Sequence, residues 1–235
     1  MKIPLDASVR ARFIRRYKRF FVDVETQHGE TLTVHCANPG SMLGFIRPGA
    51  AVRCSISDNP KRKLRHTLEM MRVGRIWVGL QTNRANPVVA KVLEAGALPS
   101  LRGYRAIRRE VRVDDRSRLD FALDGHPRGG APAYLDVKSV TLAERSIARF
   151  PDSKSERGRR HLESLARLRR RGHRAVLLYL VQRADCERVV PADDIDPDYG
   201  AALRAAAKAG VELFALGARV TARKISVERS LPVVL

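Results

Sequence analysis

This chain of 235 residues is poor in cysteine, tryptophan and acidic side chains, and it has no long apolar run. Its three cysteines, Cys36, Cys54 and Cys186, are odd in number and widely spaced; they form no zinc-type pair and fit a reducing compartment. The six histidines show no metalloprotease spacing. No segment reaches transmembrane length, and the opening "MKIPLDASVRARF" carries no signal-peptide apolar stretch. The expected location is therefore cytoplasmic, with no membrane partner. A 44% hydrophobic fraction argues against general disorder, and the length suits one large domain or two small ones.

What is abundant is positive charge. Lys and Arg number 45 against 25 Asp and Glu, a net charge of +20. Most of the excess is arginine, whose planar fork of donors suits phosphate, and counterion release from a polyanion would drive association. Nucleic acid, DNA ahead of RNA, is the expected partner; an Arg- and Ala-rich bias decorating the surface is the plain alternative. Residues 1–85 hold 16 Lys and Arg against 6 Asp and Glu. Within them, "RARFIRRYKRFF" interleaves Arg15, Arg16, Lys18 and Arg19 with Phe13, Tyr17, Phe20 and Phe21. Cations to follow a backbone and aromatics to stack on bases are the parts of a single-strand binding surface. An ordinary strand with its aromatics in the core would read the same way. A second basic knot, "NPKRKLRH", follows a turn at Asn59-Pro60 and presents Lys61, Arg62, Lys63 and Arg65 on a loop.

The N-terminal region parses as five short strands, 20–25, 31–36, 51–57, 64–73 and 75–81, separated by turn residues. That pattern predicts a small barrel of OB type, with an SH3-like barrel as the alternative. After the polar linker "TNRANP" the texture becomes α/β. A helix is expected over 88–95 and strands over 105–113, 118–123 and 134–140. "DSKSERGRRHLESLARLRRRG" predicts a helix opened by a capping box at Ser153 and Glu156. "AVLLYLV" is apolar throughout, as a central strand covered on both faces should be, and a helix over 199–209 leads to the strand "VELFAL". The expected organisation is an OB-like barrel over 1–85 followed by an α/β domain over 86–235.

One strand breaks its own pattern. "YLDVKSVT" places Asp136 and Lys138 among residues that want burial, although charged groups leave water only when paired or bound to an ion. The preceding strand "SRLDFAL" carries Asp120, and the turn-rich "DGHPRGGAPA" between the two predicts a hairpin. Alternation puts Leu119, Phe121 and Leu123 on one face and Asp120 on the other; an even-sum register then sets Asp120 beside Asp136 or Lys138. Crowded carboxylates repel unless a cation or a proton lies between them. Oxygen-only ligands suit Mg²⁺ or Mn²⁺, and such an ion would polarise a phosphodiester and activate a water. Lys138 would orient that water and offset charge on the phosphate. A structural ion pair between Lys138 and an aspartate is the other reading. If Asp120 and Asp136 are a metal pair, neutralising either should leave stability unchanged or raise it.

The combination D…(D/E)-x-K, here Asp120, Asp136 and Lys138, resembles the PD-(D/E)XK nuclease superfamily. The phrases "SDNPKRKLRHTLEM", "GYRAIRREV", "SRLDFAL", "LDVKSVTL", "RFPDSKSERGRRHL", "RAVLLYLVQR" and "LPVVL" resemble one family within it, that of sugar fermentation stimulation protein A (SfsA). The resemblance implies an N-terminal OB-like domain, a restriction-endonuclease-like C-terminal α/β domain, and a DNA-binding protein tied to regulation of sugar (maltose) metabolism. It also brings Arg157 and His161 of "ERGRRHL" to the site, His161 as a candidate for phosphate or the attacking water. Four positions depart from the family pattern. Asp136 stands where glutamate is usual, "ANPGSM" replaces "ANTGPM", and Lys91 aligns with a helix glutamate that could belong to the metal site. Two functions follow: a Mg²⁺-dependent nuclease, or a non-catalytic DNA-binding regulator on a nuclease-like scaffold.

Overall fold

A computed structural model describes residues 1–126 and 129–235. Pro127 and Arg128, inside the expected hairpin loop, lie outside the described residues. The N-terminal part holds strands β1 (Lys2–Pro4), β2 (Val9–Tyr17), β3 (Phe21–Thr26), β4 (Thr31–His35), β5 (Ala51–Ile56), β6 (His66–Val73) and β7 (Ile76–Gly79). Helix α1 (Ala85–Glu94), strands β8 (Ala106–Arg112), β9 (Arg118–Asp124) and β10 (Ala133–Val140), and the short β11 (Ala143–Glu144) and β12 (Ile147–Phe150) follow. The remainder is α2 (Glu156–Arg170), β13 (Arg174–Val181), β14 (Arg188–Pro191), α3 (Pro197–Lys208), β15 (Glu212–Val220) and β16 (Lys224–Leu231).

Strands β2 to β6 close a barrel. β2 pairs antiparallel with β3 and β5, β3 with β4, and β5 with β6, while a parallel bridge between His35 and Thr67 joins β4 to β6. That Greek-key closure is the OB arrangement, which decides against the SH3-like alternative. Its core is Phe13, Val22, Val24, Val34, Leu68 and Met71. The barrel has five strands, but not the five expected. The central strand is Val9–Tyr17, whose frequent arginines masked its alternating buried positions Ala11 and Phe13. Residues 76–79 only extend the sheet beyond β6.

The second sheet runs in the order β1-β16-β15-β13-β10-β9-β8. β13 is central and parallel to both neighbours, and Ala175–Val181 are buried throughout. One face packs α1 together with Met70 of the barrel, and the other packs α2 and α3. The division at residue 85 therefore needs two corrections. β1 belongs to the second sheet, antiparallel to β16, because three residues can extend an open edge but cannot nucleate a strand alone. The polar "TNRANP" is no loose linker either: Thr82 donates to the Ala37 carbonyl at 2.7 Å, and Arg84 pairs with the buried Glu69 at 2.7 Å.

Helix α2 buries Leu162, Leu165 and Leu168, and Gly172 beyond its end adopts φ +87°. Its cap is Ser155, which accepts from the Gly158 amide, and not Ser153. Among the described residues no helix is long and apolar enough to cross a membrane.

Candidate metal and nucleic-acid site

Strands β9 and β10 pair as Leu123–Ala133, Ala122–Tyr134 and Phe121–Leu135, and the ladder then stops. Carried one step further, this register sets Asp120 opposite Asp136. On the other side of β9, the pairs Arg109–Phe121 and Val111–Leu119 leave Glu110 out of the ladder, at φ +54°. Alternation breaks here too: Leu119 packs on the α2 side, while Phe121 and Leu123 pack on the α1 side. Asp120 thus occupies the point where the sheet splays. The Val137 amide, freed from the ladder, donates to Asp120 Oδ2 at 2.6 Å, and Asn86 of α1 donates to Oδ1 at 2.6 Å.

Asp136 is buried between two partners. His161 Nδ1 lies 2.7 Å from Oδ1, and the Lys138 ammonium lies 2.8 Å from Oδ2. The lysine's approach is too oblique for a hydrogen bond, so Oδ2 is a buried oxygen without a hydrogen-bond donor. Burial alone would push the Asp136 carboxyl up, but Lys138 and His161 outweigh it and hold it at about 2. Asp120 moves the other way. Burial first, and then the charge on Asp136, push it up to about 6, against the hydrogen bonds from Val137 and Asn86.

These two carboxylates fit a hard divalent cation. The donor set is oxygen, Asp136 Oδ2 has an ion-pair partner but no hydrogen bond, and burial followed by the charge of Asp136 makes the ionised form of Asp120 costly. Among the described residues no third His, Cys, Asp or Glu joins them. Magnesium is commonly held by one or two carboxylates with waters, so two suffice.

Asp120 and Lys138 form the floor of a cleft of about 780 Å³ between the barrel and the second sheet. Arg19 and residues 38–40 wall it on the barrel side; Arg149, Lys154 and Arg157 line the far side. The walls are tied together. Ser41 donates to the Asp152 carbonyl, the Met42 amide donates to Asp152 Oδ2 at 3.2 Å, and a Cβ on Gly40 would overlap that carboxylate.

The expected site residues separate into groups. Asp120, Lys138, Arg19 and Arg157 share the cleft, with Asp136 directly beneath. His161 does not reach it. It is 4% exposed, on the same face of α2 as Leu162 and Leu165, and Arg157 Nε sits 3.4 Å from its Nε2. With Arg157 donating there, the imidazole carries its proton on Nδ1 and donates it to Asp136, so His161 is engaged with the carboxylate rather than open to the cleft. Arg16 is also occupied, donating to the carbonyls of Arg19, Asn38 and Gly40. Arg15 pairs with Asp23 at 2.8 Å. Lys18 sits at the β2–β3 hairpin tip, and Lys61, Lys63 and Arg65 are exposed on the β5–β6 loop, where Arg62 donates to Thr67 Oγ1 at 3.0 Å. Lys91 lies outside the site, exposed and paired with Glu94 at 2.8 Å, so its departure from the family pattern does not touch the carboxylates. Reading the sequence missed Asn86, Glu110, Asp152 and Lys154; Glu110, in "GYRAIRREV", and Asp152 and Lys154, in "RFPDSKSERG", lay within family-like phrases, and Asn86 did not.

Comparison with known proteins agrees with this architecture. Residues 83–224 match the family described as "Sugar fermentation stimulation protein RE domain", and residues 14–80 match "SfsA N-terminal OB domain". The chain belongs to the SfsA family. A sugar fermentation stimulation protein homolog of Halorhodospira halophila is 50% identical over 226 residues, covering 95% of this chain and 94% of the relative. One from Maricaulis maris is 43% identical over 236 residues, covering 100% and 99%. The solved structure of Pyrococcus furiosus SfsA, in complex with Ca²⁺, superposes with a TM-score of 0.90 at 28% identity over the whole of both chains. The expected OB-plus-α/β fold of an SfsA protein is the fold observed.

Proposed function

We propose that this SfsA-family chain binds nucleic acid, DNA before RNA, and hydrolyses its phosphodiester backbone with Mg²⁺ or Mn²⁺. The observation that carries the reading is the convergence of Asp120, Asp136 and Lys138 at the splayed end of β9 and β10, on the floor of a cleft lined by Arg19, Lys154 and Arg157. A divalent ion held by Asp120 and Asp136 would polarise the phosphodiester and lower the pKa of a water. The chain does the rest. Arg19, Lys154 and Arg157 draw the phosphate in, Asn86 and the Val137 amide fix the Asp120 carboxylate, and His161 fixes Asp136. Lys138, displaced from Asp136, turns its ammonium toward phosphate and water. The Ca²⁺ complex of the Pyrococcus furiosus relative supports a site for a hard, oxygen-seeking cation.

Incubation of labelled single-stranded and duplex DNA with Mg²⁺ or Mn²⁺ tests the chemistry. Products are expected only with metal, and none from Asp120→Asn. Binding without cleavage would sink the catalytic half and leave a DNA-binding regulator of sugar metabolism, the reading favoured by the relatives' name.

The barrel's part has its own test. In an OB barrel the loops between strands one and two and between strands four and five flank the oligonucleotide face. In this chain they are the turn with Lys18 and Arg19 and the loop with Lys61 to Arg65. Lys61→Glu with Lys63→Glu, sparing Arg62 for its bond to Thr67, should weaken binding across all sequences. The log–log salt slope should flatten by roughly 0.7 to 0.9 for each phosphate no longer neutralised. Weakening at one sequence only would contradict it.

A further inference from the structure

Between the cleft and the basic β5–β6 loop lies a short strip of barrel surface with a particular chemistry. Arg19 lines the cleft, and the residue after it, Phe20, is 41% exposed. Among the described residues no other Phe, Tyr or Trp is as open to solvent. Phe13, from the same arginine-rich run, is in the barrel core, and Tyr17 and Phe21 stack on each other with ring centroids 5.7 Å apart. Phe20 is left facing outward. Its ring lies nearly parallel to that of His35, at 6.4 Å between centroids and 17° between planes. Burial, and then the charge of Arg62, hold the His35 imidazole below its ordinary value, so at neutral pH it is an uncharged ring. Arg62 in turn leads to the exposed Lys61 and Lys63.

The order along the surface is therefore carboxylates, Arg19, the Phe20–His35 pair, Arg62, and Lys61 with Lys63. Cations alternate with one flat, outward-facing aromatic platform. The hairpin tip that carries it is held in an unusual shape, with Lys18 at φ 44° and Arg19 at φ 61°, and Arg16 bonds the Arg19 carbonyl at 2.8 Å. A duplex keeps its base faces stacked inside and has none to offer an exposed phenylalanine; an unpaired strand does. The cleft agrees, since about 780 Å³ is the volume of a pocket for one drug-sized molecule. Its walls are tied across by Asp152, so they cannot part around a duplex without breaking those bonds.

We propose that the nucleic acid bound here is single-stranded, with one unpaired base stacked on Phe20 and its backbone running from the Asp120–Lys138 floor past Arg19 to the Lys61–Lys63 loop. This rests on the cleft being a nucleic-acid site. Fluorescence anisotropy in EDTA, which prevents cleavage, separates the two ideas. The probes are a labelled oligodeoxythymidylate, a blunt duplex of mixed sequence, and that duplex with a single-stranded tail. The single strand and the tailed duplex should bind about tenfold or more tighter than the blunt duplex at equal salt. Phe20→Ala should weaken single-strand binding at least about fivefold, the low end for removing a base–aromatic stack, and leave duplex binding unchanged. Phe20→Trp should restore it. Since the side chain is exposed, both variants should melt with the wild type, so a folding defect cannot imitate the result. Blunt duplex binding as tightly as the single strand, or Phe20→Ala binding like wild type, overturns the proposal while the nucleic-acid site stands. Failure of all three probes to bind removes that site and the proposal with it.

Discussion

At pH 8 and without metal, Asp120→Asn is expected to melt above the wild type and Asp136→Asn well below it. The two aspartates face each other, yet their surroundings pull them apart. Burial and the neighbouring charge raise the Asp120 carboxyl to about 6, so keeping it ionised costs the fold roughly 2 to 3 kcal/mol at pH 8. A carboxyl raised in this way supports the folded state below its unfolded pKa near 4 and loses that support as pH climbs through about 6. Asparagine carries no charge to resist. It still accepts from the Val137 amide, but its own amide meets that of Asn86, so a net gain of about 1 to 2 kcal/mol remains, a few degrees in a chain of this size. The gain should grow between pH 4 and 7 and vanish below 4. Asp136 has the opposite sign. Held at about 2 by Lys138 and His161, it supports the fold at every pH above its unfolded value. Removing its charge strands a buried ammonium and should cost about 3 to 5 kcal/mol, roughly 10 °C. Thermal scans from pH 4 to 9 decide it. From sequence alone, neutralising either carboxylate is expected to be harmless; the surroundings of Asp136 reverse the sign expected there, because a hairpin pattern does not reveal His161 behind it. Both variants melting lower would mean that Asp120 is not crowded, and the electrostatic case for a cation would go.

That contrast marks how far the residues could be read. Asp120, Asp136 and Lys138 were legible because a charge inside an apolar strand is costly, and a cost without evident compensation points to a site. The central strand β13 was legible because seven consecutive apolar residues leave no solvent face. β2 was hidden by its charge: arginines between Ala11, Phe13 and Tyr17 look like a binding surface, and the turn at Lys18-Arg19 lacks the Asn-Gly signature of a tight hairpin. β1 was hidden by its length, since only its edge position beside β16 makes it a strand. At the site, His161 is set within "ERGRRHL", where arginines suggest an exposed face, although the buried stripe of α2 runs through Gly158, His161, Leu162 and Leu165. Asn86 sits in a run that reads as a turn. Its role depends on α1 starting at Ala85 and aiming its first turn at β9, which is tertiary information. The tie between residues 40–42 and Asp152 spans about half the chain, and no local pattern encodes it.

Lys138→Ala should separate the ion from the chemistry. The Lys138 ammonium is the cation nearest Asp136 Oδ2, at 2.8 Å, and its side chain is only 12% exposed. Truncation leaves that oxygen with neither ion partner nor donor, so the metal-free variant should melt lower, by part of the roughly 3 to 5 kcal/mol that a broken buried pair costs. A divalent ion can then meet Oδ2 without competing with the lysine. The rise in melting temperature on adding Mn²⁺ should therefore persist and exceed that of the wild type, because the ion no longer displaces a lysine. Hydrolysis should fall by about 10²–10³-fold, the usual consequence of losing one group aimed at developing charge on the phosphate. Lys138→Arg should rescue stability better than activity, since a planar guanidinium can pair with Asp136 but cannot occupy the place of a compact ammonium. Three readings are separable on one preparation. If Mn²⁺ no longer raises the melting temperature of Lys138→Ala, the lysine helps build the ion's site. If hydrolysis survives the truncation, the lysine is a structural partner of Asp136 and the phosphate is served by Arg19, Lys154 or Arg157. A weakened fold, a strengthened metal response and abolished hydrolysis together would place Lys138 on the reacting phosphate, with Asp136 and Asp120 left to the ion.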